Sequence, residues 1–371
     1  MSALTLMVAS FDAGTPLSRC IACSAPDALQ ATRTTMTPSR LAFALLFAAA
    51  TCSGNAAAWG HRAHAAIDTA AVQALPDDGP VFLKRYAQVI ADGATLPDGW
   101  RSESEPFLKI EEGPNHGWFR EQFAFMQHPP RSRYAFVLAL YDEQRRIAQR
   151  DPQLAQRMNV RWAGTLPYAA TEGYERVVAT MRQLRTLRAK GQDTGELERT
   201  CAFYVSWFAH YIGDGAQPQH DSIHHDGWQG PNPNGYSTDP KVHGKFESDY
   251  VEKIALTPQD LLRHMSALAH QDGDVFEQIL DFLAIGTGRV EQVYRLEKAG
   301  AFDDASNPDG RAMVYRTAGD GAAMLRNLLV RAWRESALQP ENSTRPRSMD
   351  PSHPQYDPAT GSAPAGRSPT A

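Results

Sequence analysis

Two histidine–carboxylate pairs at the same spacing, with a further histidine between them, give this chain a pattern suited to metal ions. In HYIGDGAQPQH, residues 210–220, His210 and Asp214 stand four apart, and His220 follows after Gly215 and Pro218. The run from Thr200 to Asp214 reads as a helix with Phe203, Trp207 and Tyr211 on its apolar stripe. The four-residue spacing therefore presents an imidazole and a carboxylate on one face. In VHGKFESDY, His243 and Glu247 repeat that spacing at what reads as another helix start. One such pair is ordinarily a surface hydrogen bond, but two pairs plus His220 are hard to explain as solvated faces. Imidazole nitrogen and carboxylate oxygen without cysteine suit zinc, at ligand distances of about 2.0–2.2 Å, with manganese or iron as competitors. Upstream, LPDGWR offers Asp98 with Arg101 and GPNHGWF offers His116, both in loops marked by Gly and Pro where side chains can converge.

The elements that must hold these residues read as helices. Apolar residues recur at helical spacing from His61 onward, as in Val177, Met181, Leu184 and Leu187, or Met324, Leu325, Leu328, Leu329 and Ala332. Thr257, Pro258 and Asp260 form a helix start expected to run to about Ala269. No alternating strands or Gly-rich βα turns are evident, so the expected class is all-α, a single multi-helix domain over residues 59–338. Residues 222–242, rich in Gly, Pro and Asn, are expected as a long loop beside the site. The Pro-, Ser- and Thr-rich tail, residues 339–371, lacks the apolar surface to fold and is expected to be disordered.

The chain has 371 residues, 42% hydrophobic and 21% charged, with a formal charge of -5. Residues 1–58 carry three arginines against two aspartates, leaving the rest more acidic still. Such a balance excludes a strongly basic nucleic-acid binder, so any polyanion must be held by local charge or by metal. Residues 36–58 have the layout of a secretory signal peptide: Arg40, an apolar run from Leu41 to Ala50, and small residues before Trp59. Met36 is read as the true start, with residues 1–35 as an upstream extension, and the mature product as secreted or periplasmic. Three of the four cysteines, Cys20, Cys23 and Cys52, fall in that leader, so the mature chain keeps Cys201 alone and has no internal disulfide.

The span from WGHRAH through HYIGDGAQPQH to HGKFE resembles the superfamily of zinc-dependent phospholipases C and single-strand-specific nucleases of the S-one/P-one type. The resemblance implies an almost wholly helical fold with a trinuclear zinc site, three Zn2+ in all. Carried over by position, Asp98, His116, His210 and Asp214 would bind one ion, and His220, His243 and Glu247 a second. Trp59, as the mature N-terminus, would bind the third through its amine and carbonyl with His64 and Asp214. The α-amino group titrates near pH 8, so metal can displace its proton. Asp98 and Arg101 would be catalytic, the first orienting the attacking water and the second contacting phosphate.

What the resemblance implies for function is hydrolysis of single-stranded DNA or RNA. The Asp98–Arg101 spacing and the WG start favour the nuclease branch. Phospholipase C is the alternative, favoured by Glu247 and the string HGKFE, with phospholipid then the substrate; a fold merely stapled by metal is a third reading. Trp100, Trp118, Trp228 and Tyr236 are candidates to stack on a base, each with core or loop packing as its plainer role. His61, His128, His224, His225, His264, His270 and His353 have no partner in the pattern, and His224 and His225 are expected at the surface. Nothing in the sequence requires a protein partner.

Overall fold

Apolar spacing predicts helices, and helices are what the chain forms. The computed structural model describes residues 59–338, together with 351–353, 356, 358 and 361. The expected leader, residues 1–58, lies outside the described residues, as does most of the tail from Gln339. Among the described residues the structure is helical almost throughout, with one isolated β-bridge between Trp118 and Gly164. No helix among them is long and apolar enough to cross a membrane.

Seven helices frame the site: α1 His61–Gln73, α2 Leu96–Trp100, α3 Pro106–Glu112, α4 Leu166–Ala189, α5 Gly195–Asp214, α6 Val275–Thr287 and α7 Pro308–Glu335. α5 packs on α4, α1 and α7. Its core face is Cys201, Val205, Phe208, Ala209 and Ile212, all buried. That differs from the expected Phe203–Trp207–Tyr211 stripe. Phe203 lies two residues from Cys201, about 200° round the helix, and is 41% exposed, while Tyr211 is buried. α7 begins with Asn307 accepting from the Asp309 and Gly310 amides and Pro308 in the first turn, and runs through the core with Met313, Val314, Ala318, Leu325 and Leu328 buried.

The helix expected over 257–269 stops early, at Leu262, although its start forms as expected, with Thr257 and Asp260 closing a capping box. Two competitors act on its carbonyls: His264 Nδ1 donates to Asp260 O at 2.7 Å, and Arg326 of α7 donates to Ser266 O at 3.0 Å. Beyond the expected end, Arg334 and Arg331 of α7 donate to Gln271 O at 3.0 Å and Gly273 O at 2.6 Å and hold the extended chain against that helix.

Residues 222–242 form the expected irregular segment, which is ordered around a small cluster of its own: Tyr236 and Val242 pack with Val290 and Tyr294, and Trp228 lies against them. The helical run 241–253 that follows contains a π-helical stretch, Lys245–Asp249. Such stretches are frequent at functional sites, and this one carries Glu247.

Candidate metal centre

Three groups of side chains come together with ligand atoms within 4.8 Å of one another: His64, His210 and Asp214; Asp98, His116 and His210; and His220, His243 and Glu247. Each could hold a metal ion. The first two share His210, and Asp214 lies against both, 3.3 Å from His64 Nε2 and 2.9 Å from His116 Nδ1. α5 carries His210 and Asp214 one turn apart, α1 carries His64, α2 carries Asp98, and the 3-10 turn after α3 carries His116. His220 stands on the 3-10 turn Pro218–Asp221, where the chain bends back after α5.

The histidine rings are locked by the backbone. His210 Nδ1 donates to Ala94 O at 2.8 Å, His243 Nδ1 to His225 O at 3.0 Å, and His220 Nδ1 to His116 O. A carbonyl only accepts, so each Nδ1 keeps its hydrogen and each Nε2 lone pair faces inward. His116 is turned the other way: Nδ1 faces Asp214 and His210, while Nε2 lies 3.3 Å from the buried carboxylate of Glu112. Glu112 also accepts from Tyr211 Oη at 2.6 Å. His64 packs close over Gly213, where a Cβ would come 2.5 Å from its Nδ1.

Pointed inward, these groups face one another without enough protons to go round. His210 Nε2 lies 3.1 Å from His116 Nδ1, and His243 Nε2 lies 3.2 Å from His220 Nε2. Both ring nitrogens of His64, Asp98 Oδ2, Asp214 Oδ1 and Glu247 Oε1 are buried with no hydrogen-bond partner. His64, His210, Asp214 and Glu247 are all fully buried. Buried ionisable groups are tolerated when paired or when they coordinate metal, and this donor set, lone pairs of nitrogen and oxygen converging without sulfur, fits a divalent cation such as zinc.

The electrostatics agree. Burial disfavours the charged form of Asp214, yet His210, His220, the hydrogen bond with His116 and the nearby ring of His64 hold its carboxyl well below the usual range. Asp98 and Glu247 are also held down against burial, chiefly by His210 and Arg101 for the first and by His243 for the second. Burial drives His210 down to about 4, so its ring stays neutral, as a ligand must be. His220 goes the other way: against the opposing effect of burial, Asp214 and Glu247 raise it to about 9, so its metal-free ring holds a second proton that a metal would have to displace.

Above the ligands lies a cavity of ≈ 190 Å³ walled by Arg101, His116, Phe119, Arg161, His220 and His243. Arg101 is aimed by Asp98, whose Oδ1 accepts from its Nε at 3.1 Å and Nη2 at 2.7 Å. The cavity floor depends on a close backbone approach: Gly164, at φ +79°, stands where a Cβ would be 1.9 Å from Gly117 O. Only glycine takes both that conformation and that contact.

The remaining candidates divide. Trp59 is fully buried against Phe246, with ring centroids 5.4 Å apart, and the Gly60 amide donates to Glu247 O at 3.4 Å, so the residue adjoins the centre. Trp118 is packed among Phe123, Phe136 and Tyr168, and Tyr236 is buried with its hydroxyl donating to Glu291 at 2.8 Å. Neither offers a free face to a base, so both correct the stacking expectation. Trp228 stacks on His224 at 3.9 Å, and Trp100 meets Trp207 edge-on at 5.9 Å. His225, expected at the surface, instead lines the cavity and stacks on Phe119 at 4.6 Å. Sequence reasoning missed Glu112, Phe119 and Arg161. Glu112 was the findable one, since it precedes His116 by the same four residues that mark the other pairs. Gln217 was missed too; it is fully buried and donates to Glu247 Oε2 at 3.0 Å.

Comparison of the chain with protein-family models, with curated proteins and with solved structures finds no match.

Proposed function

We propose that the chain is a zinc-dependent phosphodiester hydrolase of three zinc ions, secreted or periplasmic after cleavage before Trp59, whose substrate is single-stranded DNA or RNA. The observation that supports this reading is the sharing of His210 between two adjacent ligand groups, with Asp214 in one and against His116 of the other, beside a cavity that also holds a guanidinium. Zinc held there supplies Lewis acidity and a water acidified to near neutral pH.

The chain's own residues do the rest. Asp98 has one oxygen committed to Arg101 and the other, Oδ2, without a protein partner, so it is placed to orient the attacking water. Arg101, fixed by that pairing, donates to non-bridging phosphate oxygens as charge grows on them. His220, His243 and Glu247 would hold a further ion, which would supply positive charge to stabilise the leaving oxygen.

Phospholipase C remains the second reading, supported by Phe107 and Ile110, which are 86% and 70% exposed on α3. One assay separates the two: the zinc-loaded chain is given single-stranded DNA, RNA and phosphatidylcholine vesicles under identical conditions. Cleavage of the nucleic acids is expected, and cleavage of lipid alone transfers the site to the second reading. Asp98→Asn is expected to reduce hydrolysis by at least about a hundredfold while leaving the helical signal intact. Undiminished turnover in that variant would remove Asp98 from its role.

A further inference from the structure

A second hollow, of ≈ 730 Å³, opens beside the metal cavity and shares Arg101, Pro114, Arg161 and Asp226 with it. That volume is in the range that holds a ligand of several hundred daltons, so the cleft continues well past the place where one phosphodiester would sit. Three cations line this hollow, and two are already answered: Arg101 by Asp98 at 2.7 Å and Lys109 by Glu103. The guanidinium of Arg161 has no ion pair or hydrogen bond among the described residues.

Its backbone, by contrast, is tied down. Arg161 lies in the short turn Val160–Ala163, where Asn159 Oδ1 accepts from the Arg161 amide at 3.1 Å and Ala163 O accepts from the Phe119 amide at 2.8 Å. That second bond joins the turn to the wall of the metal cavity. Trp162 next to it is flanked by Arg157, 5.1 Å from the ring centroid. An anchored turn therefore holds an exposed, unpaired cation at the junction of the two hollows, in a chain whose overall charge is negative.

Resting on the nuclease reading, we infer that Arg161 grips a second phosphate of the same nucleic-acid strand, beyond the one being cleaved, and so makes the site prefer a polymer over a single phosphodiester. A guanidinium at a fixed point suits bidentate contact with phosphate. Phosphate contacts position a strand without reading its sequence, so the effect is one of length and salt rather than of base.

The test is binding of phosphorothioate-linked thymidine oligomers of two, four and eight units to the zinc-loaded chain, followed by fluorescence anisotropy across a salt series. The wild-type chain is expected to bind more tightly as the oligomer lengthens. Arg161→Ala should lose about tenfold in affinity for the octamer, flatten the length dependence, and reduce the slope of log affinity against log salt by about 0.7, the value for one phosphate on a single strand. Arg161→Lys should keep the slope while recovering part of the affinity. In hydrolysis the loss should appear in KM for long substrates rather than in kcat. Equal octamer affinity and equal salt slope in wild type and Arg161→Ala overturn the inference, even if single-stranded DNA is cleaved. A loss confined to phosphatidylglycerol vesicles overturns it in favour of a lipid surface. If no nucleic acid is cleaved in the substrate assay, the nuclease reading itself fails, and the two failures stay distinct.

Discussion

The side chains that make the centre do so in pairs, each ligand atom free only because its opposite atom is occupied. His210, His220 and His243 each hand one nitrogen to a carbonyl, and the other is left to face inward. Two buried carboxyls, Asp68 and Asp221, follow a different rule, since burial raises both and neither has a hydrogen-bond partner among the described residues. Asp68, one turn beyond His64 on α1, is fully buried with both oxygens unpartnered, and burial pushes its carboxyl well above the usual range. It is therefore protonated in the fold at pH values where the unfolded chain, titrating near 4, has already lost the proton. The linkage has a definite sign: folding binds the extra proton, so Asp68 weakens stability progressively as pH rises above about 4. Asp68→Asn removes that titration. With metal chelated in both proteins, the variant should gain on the wild type in melting temperature between pH 4 and 7, and a gap that does not change with pH sinks the assignment.

Between elements, the decisive contacts are approaches that only small residues permit. α1 and α5 meet where the ring of His64 lies over Gly213, immediately before Asp214. Replacing a mid-helix glycine by alanine ordinarily stabilises a helix, by about 1 kcal/mol. Here the added methyl would sit 2.5 Å from His64 Nδ1, and the helix backbone at Gly213 gives it nowhere else to go. Gly213→Ala is predicted to reverse the usual sign, lowering the melting temperature and the number of zinc ions bound per chain, as read by elemental analysis after dialysis. A variant with full zinc and a raised melting temperature would falsify the steric account.

Much of this scale was legible in the sequence and some was not, for identifiable reasons. The four-residue spacings of His210–Asp214 and His243–Glu247 encode a shared helix face, so those pairs could be read directly. The meeting of Asp98, His116 and His64 with them could not, since it depends on how α1, α2 and α3 pack around α5, and only resemblance placed those residues. The length of the helix begun at Thr257 was misjudged because its carbonyls are contested by the side chain of His264 and by an arginine 60 residues away on α7, Arg326. Trp118 and Tyr236 looked like stacking surfaces because an aromatic residue in a Gly-rich stretch gives no sign of which neighbours will bury it.

For the molecule as a whole, the centre concentrates buried charge at the point where α1, α5 and the turn carrying His220 meet, in a domain whose one described cysteine, Cys201, is buried and unpaired. With no disulfide among the described residues, a cation held by His64, His210 and Asp214 would also cross-link segments up to 150 positions apart. An ion bound at a thousand times its dissociation constant contributes about 4 kcal/mol to folding stability. For a domain of this size each kilocalorie shifts the melting temperature by roughly 2–4 °C. Removing a single tightly bound ion should therefore lower it by roughly 8–16 °C. Because protons compete with metal for imidazole and carboxylate alike, that increment should shrink as pH falls below about 9, the value to which His220 is raised. Calorimetry with and without chelator at pH 7.5 and pH 5 measures both effects. A melting temperature unmoved by chelation at pH 7.5 would mean that the convergent lone pairs are satisfied by something other than a metal, and the proposed chemistry would lose its foundation.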